Sequence, residues 1–169
     1  MKKSILPALL FISVCVYCQS ASEFNGRGFR QAKKGNYEKA IELFTKSIAV
    51  NNYFMEAYYN RGLAYSHLKK YELAIQDYTK ALSIMPQFKK AYNNRAADKA
   101  DLKDYEGAII DYSMAIKLDS GYATAYYNRG NAYLKIRALE KAVADYNKAI
   151  ALNPEFREAI ANRELCILR

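Results

Sequence analysis

The 169-residue sequence has no tryptophan, a single histidine, three cysteines, three prolines and seven glycines. One imidazole excludes a metal centre built on several histidines and leaves His67 as the sole base for a nucleophile–imidazole–acid triad. No nucleophile sits at matching spacing, so His67 reads as a surface residue. So few prolines and glycines exclude a collagen-like chain and argue against a sandwich with many tight turns. No phosphate-binding loop is present, because Gly26-Arg27-Gly28 lacks the preceding strand such a loop needs. Disorder is excluded by a hydrophobic content of 51%. What is abundant is tyrosine, at 16 residues, and positive charge, with 26 Lys and Arg against 17 acids and a net charge of +9.

The first twenty residues differ from the rest. Lys2 and Lys3 precede an apolar run from Ile5 to Val16 that contains Pro7. The run is shorter than the roughly 20 residues a membrane-spanning helix needs. A charged start followed by a short apolar stretch is the pattern of a secretory signal. Cys18 and Ser20 are small residues three and one before Ala21, which places the expected cut ahead of Ala21. Two other readings stay open: an uncleaved anchor, and lipidation at Cys15 or Cys18, although the residues before both fit a bacterial lipobox poorly. Cys15 and Cys18 form a Cys-x-x-Cys pair, yet within a signal region and without a partner pair the spacing is incidental. Removing 1–20 leaves Cys166 alone, so the exported chain must be held by packing. Export to a periplasm or outside the cell is the expectation, with membrane attachment only through an uncleaved or lipidated N-terminus.

The remainder is organised by a 34-residue repeat. Ala57-Tyr58-Tyr59-Asn60-Arg61-Gly62 recurs as Ala91-Tyr92-Asn93-Asn94-Arg95-Ala96 and again as Ala125-Tyr126-Tyr127-Asn128-Arg129-Gly130. Tyr71 to Tyr78 recurs as Tyr105 to Tyr112. The frames are 21–54, 55–88, 89–122 and 123–156. Each reads as two helices: Tyr58, Gly62 and Tyr65 share one helical face, and Tyr71, Ala74, Ile75, Tyr78, Ala81 and Leu82 make the matching stripe. Lys69-Lys70 is the turn between them, and Pro86 stops the second helix.

These residues resemble the tetratricopeptide repeat, whose pattern is an aromatic, Leu-Gly, Tyr, then Ala with an aromatic four residues on, then Pro. The second frame supplies Tyr58, Arg61 in place of Leu, Gly62, Tyr65, Ala74, Tyr78 and Pro86. The fourth supplies Tyr126, Arg129, Gly130, Tyr133, Ala142, Tyr146 and Pro154. The third departs at Ala96, Lys99 and Ser120, and the first at Gln31 and Asn52. Small residues persist where the paired helices must cross: Gly28/Ala40, Gly62/Ala74, Ala96/Ala108 and Gly130/Ala142. The resemblance, which covers residues 21–156, implies an all-α, right-handed α-solenoid of four helix-turn-helix repeats. Residues 157–169 would be a capping helix or the start of a fifth repeat, since a solenoid must cover its last apolar face. The departures predict that the terminal and third repeats pack least tightly.

In the family, first helices line a concave groove, and the sixth position of each repeat faces into it. Here that position is Gly26, Asn60, Asn94, Asn128 and, in the last helix, Asn162. An asparagine amide both donates and accepts, so it can grip a peptide backbone without reading its side chains. Tyr59 and Tyr127 would flank this ladder, with Phe29, Leu63, Lys90 and Asn131 completing the groove. One subgroup grips acidic chaperone tails through a Lys/Asn/Lys/Arg clamp. Neither Asn25, Phe29, Asn60, Lys90 and Asn94 nor Tyr59, Leu63, Asn94, Thr124 and Asn128 reproduces it. Asp98, Asp101 and Asp104 read as a solvated face rather than a metal site. The sequence therefore predicts a non-catalytic scaffold that holds a peptide or partner protein, with no cofactor and no small-molecule substrate. Nucleic acid is not expected as a partner, because the 34-residue period does not resemble the 35-residue helical repeats that read RNA bases and export removes the chain from the cytoplasm. An anionic membrane or envelope polymer stays open, although the positive charge is spread over both helices of each repeat. The competing reading is an assembly module that docks folded neighbours of a cell-envelope complex through its edges.

Arginine fills the usual Leu column throughout, as Arg27, Arg61, Arg95, Arg129 and Arg163, and Asp77, Asp111 and Asp145 precede the second-helix aromatic. A half-buried arginine needs a partner. The expectation is pairing across the joint between repeats, Asp77 with Arg95, Asp111 with Arg129 and Asp145 with Arg163. That would leave Arg61 facing Leu43.

Overall fold

Helices account for nearly all of the computed structural model, which describes residues 21–168. The expected signal segment lies outside the described residues. Residues 21–33 form α1, followed by α2 (Tyr37–Val50), α3 (Met55–His67), α4 (Tyr71–Ile84), α5 (Lys89–Asp101), α6 (Tyr105–Leu118), α7 (Ala123–Lys135), α8 (Leu139–Leu152) and α9 (Arg157–Ile167). There is no strand among the described residues. The described residues divide into two compact units, one ending at Ile84 and the other beginning at Met85. Within each, a helix packs chiefly on its neighbours in sequence.

The turn inside each helix pair is built the same way. Lys69, Lys103 and Arg137 adopt left-handed φ values of 57°, 66° and 60°, and Gly35 one of 80°. In the second repeat the Lys69 amide donates to the Ser66 carbonyl and the Lys70 amide to the Tyr65 carbonyl, at 2.8 and 2.9 Å. This pair of bonds is a Schellman closure, and it satisfies carbonyls that the helix end would otherwise orphan. Asp104 adds a side-chain cap to α6 by accepting from the Gly107 amide at 3.0 Å. Between repeats, Asn51, Asp119 and Asn153 each accept from the amide two residues on, an Asx turn that directs the chain into the next first helix.

Packing explains the small residues at the crossings. A Cβ on Gly62 would come within 2.8 Å of the Tyr78 ring, and one on Gly130 equally close to Tyr146. The second-helix aromatic therefore lies directly against the first helix of its own repeat. Within each unit it also reaches the helix that follows. Phe44 clusters with Ala40 and Ala64, Tyr112 with Ala96, Ala108 and Ala132, and Tyr146 with Ala142 and Cys166. Cys166 thus takes the place that Ala64 and Ala132 hold earlier, and it is buried and unpaired. The third repeat keeps the same small-residue crossing as the second. Ala96, Ala108 and Ala115 are as fully buried as Ala74 and Ala81, because Ala96 still fits beside Tyr112.

Candidate functional site

Two recesses occupy equivalent places 68 residues apart. In the first unit, Phe29, Ala32, Lys33, Tyr37, Asn60, Leu63 and His67 are among the residues enclosing about 350 Å³ between α1, α2 and α3. In the second, Ala97, Ala100, Asp101, Tyr105, Asn128, Asn131 and Lys135 occupy the same positions between α5, α6 and α7, enclosing about 390 Å³. The shared frame carries different chemistry. The first recess is apolar, with Phe29 exposed, the Lys33 ammonium over its ring at 5.0 Å, and His67 stacked on Tyr37 at 4.5 Å. The second replaces Phe29 by Ala97 and Leu63 by Asn131 and is polar.

Asn60 and Asn128 stand at corresponding points of the two recesses. Asn60 Nδ2 donates to Asn25 Oδ1 at 3.0 Å, and Asn128 Nδ2 to Asn93 Oδ1 at 3.4 Å. Each amide is thereby tied to the first helix of the preceding repeat. Its own oxygen accepts no hydrogen bond from another described residue. The other expected groove residues are placed differently. Asn162 Nδ2 donates to Asn131 Oδ1 at 2.9 Å and to the Tyr127 hydroxyl at 3.4 Å. Asn94 Oδ1 accepts from Asn93 at 3.3 Å. Tyr59 lies against Tyr78, and Tyr127 against Tyr146 and Phe156, so both tyrosines are half-buried packing residues more than groove walls. Lys90 is exposed on the first turn of α5 and lines neither recess, while its neighbour Lys89 pairs with Asp119. Sequence reasoning weighed Asn25 only as a clamp position and gave Asn93 no role, although they lie 35 residues before the asparagines they hold. That offset was the signal.

The arginine column is the most ordered polar feature. Arg61 binds Asp77 through Nε and Nη2, both at 2.8 Å. Arg95 grips Asp111 in the same two-bond manner at 2.8 and 2.7 Å, and Arg129 grips Asp145 at 2.8 Å. The pairing is within a repeat, sixteen residues apart, and the expected partners across the joint, Asp77–Arg95, Asp111–Arg129 and Asp145–Arg163, are not formed. The second helix folds back on the first of its own repeat, which brings its Asp to the near side of that arginine. The joint is reached instead by the third guanidinium nitrogen. Arg61 Nη1 donates to Thr45 Oγ1 at 2.9 Å and Arg129 Nη1 to Ser113 Oγ at 2.8 Å. Arg163 Nη1 reaches Asn147 Oδ1 at 3.4 Å, and its Nε is buried without a hydrogen bond. Each paired guanidinium also lies 5.5 to 5.7 Å over the ring three residues earlier, Tyr58, Tyr92 or Tyr126. The hydrogen bonds they donate to Asp77 and Asp145 raise the pKa of Arg61 and Arg129. Burial raises the Asp77 carboxyl, and the Arg61 guanidinium opposes that shift. In the third repeat Lys99 stands where Tyr65 and Tyr133 stand in the second and fourth and adds a second cation to Asp111 at 2.9 Å.

The three aspartates that looked like a cluster have separate tasks. Asp98 is buried, Asp101 lines the second recess and Asp104 caps α6. Among the described residues no three His, Cys, Asp or Glu side chains gather as a metal site, and no helix is long and apolar enough to cross a membrane.

Two family models match the chain. One, described as Tetratricopeptide repeat, matches residues 56–88 and 123–156, and one described as TPR repeat matches 30–69 and 99–136. No curated protein matches. Among solved structures, the MamA RS-1 ArsTM double mutant superposes with a TM-score of 0.84 at 25% identity, covering 89% of this chain and 84% of that one. MamA 41-end from Desulfovibrio magneticus RS-1 has the same TM-score at 24% identity, covering 89% and 85%. The first TPR of Spaghetti (RPAP3) bound to the HSP90 peptide SRMEEVD is 30% identical with a TM-score of 0.66, covering 68% of this chain and 90% of that one.

Proposed function

Because the chain belongs to the tetratricopeptide repeat family, an all-α solenoid of helix pairs, we propose that it is a non-catalytic protein-interaction scaffold whose recesses receive polypeptide from a partner protein. One observation carries this reading. The same recess recurs at a 68-residue interval with Asn60 and Asn128 at the same point, each with its NH2 group tied internally and its oxygen open to an outside donor. A backbone N–H of an extended peptide is such a donor. The peptide-bound relative, RPAP3 with an HSP90 peptide, supports a peptide as the ligand class. The missing Lys/Asn/Lys/Arg clamp separates this chain from readers of acidic chaperone tails. Asn60→Ala with Asn128→Ala removes one hydrogen bond from each recess, about 1 kcal/mol apiece, and is expected to weaken partner capture by roughly tenfold or more. Affinity capture with the full chain and with this variant is the test. Undiminished capture would overturn the reading in favour of docking through other faces.

Export completes the proposal. It rests on Lys2, Lys3 and the apolar stretch from Ile5 to Val16, and it places the scaffold in a periplasm or outside the cell. N-terminal sequencing of material recovered from that compartment is expected to begin near Ala21. Recovery of the chain from Met1 in a membrane fraction would replace cleavage with anchoring.

A further inference from the structure

The first repeat breaks the arginine rule at one place and in three ways. Arg27 belongs to the column of Arg61, Arg95 and Arg129, and its guanidinium sits 5.9 Å over the Phe24 ring, as theirs sit over Tyr58, Tyr92 and Tyr126. Sixteen residues on, where the others find Asp77, Asp111 and Asp145, Arg27 finds buried Leu43. Where Tyr65 and Tyr133 fill the space beside Arg61 and Arg129, the first repeat has Gln31. Where Ala64 and Ala132 stand, it has Arg30. The result is a recess of about 320 Å³ between α1 and α2, lined by Arg27, Arg30, Lys39 and Lys46, with Leu43 as an apolar wall and Glu42 as its one acid.

We propose that this recess is a carboxylate-binding site, which takes an acidic side chain of a partner protein in the place where the other repeats hold their own aspartate. The chemistry is read from the molecule itself. Three arginines of the same column, each likewise over an aromatic ring three residues earlier, bind a carboxylate through two parallel N–H bonds. That two-point match is the strongest arrangement a guanidinium makes. Arg27 is stacked like them, with no carboxylate partner among the described residues. Four cations against one acid favour an anionic visitor. A partner's Glu or Asp also brings apolar methylenes to lie on Leu43. The site shares no residue with the recess lined by Asn60, so it is a second contact surface, distinct from the one proposed above.

The decisive variant fills the site from within. Leu43→Asp gives Arg27 the partner that the other repeats have, at a position whose backbone already accommodates Asp in three of them. The probe is acetyl-hexaglutamate amide, titrated into the full chain at low salt and followed by NMR at the Arg27 Nε–H and Leu43 methyl signals. The expected result is a saturable shift of both. Leu43→Asp and Arg27→Gln are each expected to weaken binding at least tenfold, while Asn60→Ala with Asn128→Ala leaves it unchanged. The last arm separates failure here from failure of the recess reading. Arg27→Gln changes an exposed residue and carries the test by itself if Leu43→Asp does not fold. Binding that survives Arg27→Gln, or shifts that appear elsewhere, would overturn the proposal. Inorganic phosphate binding the same residues tenfold more tightly than the peptide would overturn the carboxylate assignment.

Discussion

At the scale of single residues, the arginine–aspartate clamp concentrates the risk. A half-buried ion pair is worth little against apolar residues of the same volume, but removing one partner strands the other. Side chains at Arg129 and Asp145 are only 18% and 8% exposed. Asp145→Ala is therefore expected to cost about 3 kcal/mol, the lower end of the range for broken buried pairs, read from urea midpoints. Arg129→Leu with Asp145→Leu should recover most of that loss. The same Asp column already tolerates Leu43 in the first repeat. A milder case is the half-exposed pair of Lys89 and Asp119. Hydrogen bonds from Lys89 and from the Gly121 amide hold the Asp119 carboxyl below its ordinary range. Its contribution to stability is present above the unfolded carboxylate pKa and is lost as pH falls through the lowered folded value. An NMR titration of Lys89→Met should show the Asp119 carboxyl moving up toward the ordinary value.

At the scale of elements, the left-handed turn residue is where sequence and geometry disagree. A Cβ makes left-handed φ costly, and asparagine or glycine usually takes such positions. Gly35 meets the demand, whereas Lys69, Lys103 and Arg137 accept the strain. Lys69→Gly should stabilise the chain by about 0.5–1 kcal/mol, net of glycine's greater freedom when unfolded, as a raised melting temperature. Gly35→Lys should do the reverse. The sequence located the turn at Lys69-Lys70, because a Lys-Lys pair between two apolar stripes breaks both periodicities. It did not reveal the strain there, since φ is set by the closure of Lys69 and Lys70 onto Ser66 and Tyr65 and not by composition.

At the scale of the whole molecule, stability is expected to be local. Phe44, Tyr112 and Tyr146 each cluster with their own helix pair and the helix that follows it, and a repeat array of this kind behaves as a sum of neighbours. Hydrogen exchange should show Asp145→Ala loosening α7, α8 and α9 while α2 and α3 keep their protection. Uniform loosening of every helix would mean a single cooperative core. The sequence by itself determined the period, the helix pairs, the small residues at each crossing and the family, because a 34-residue recurrence repeats every local requirement four times over. It also set Asn60 and Asn128 in one column. Only the tertiary structure decided which neighbour each column meets. Sixteen residues separate Arg61 from Asp77 and eighteen separate Asp77 from Arg95, a difference no periodicity resolves. What resolves it is the direction in which the second helix folds back, and that comes from Tyr78 packing against Gly62 within one repeat. The same fold-back showed that Arg27 faces Leu43 and left the first repeat with its open basic recess.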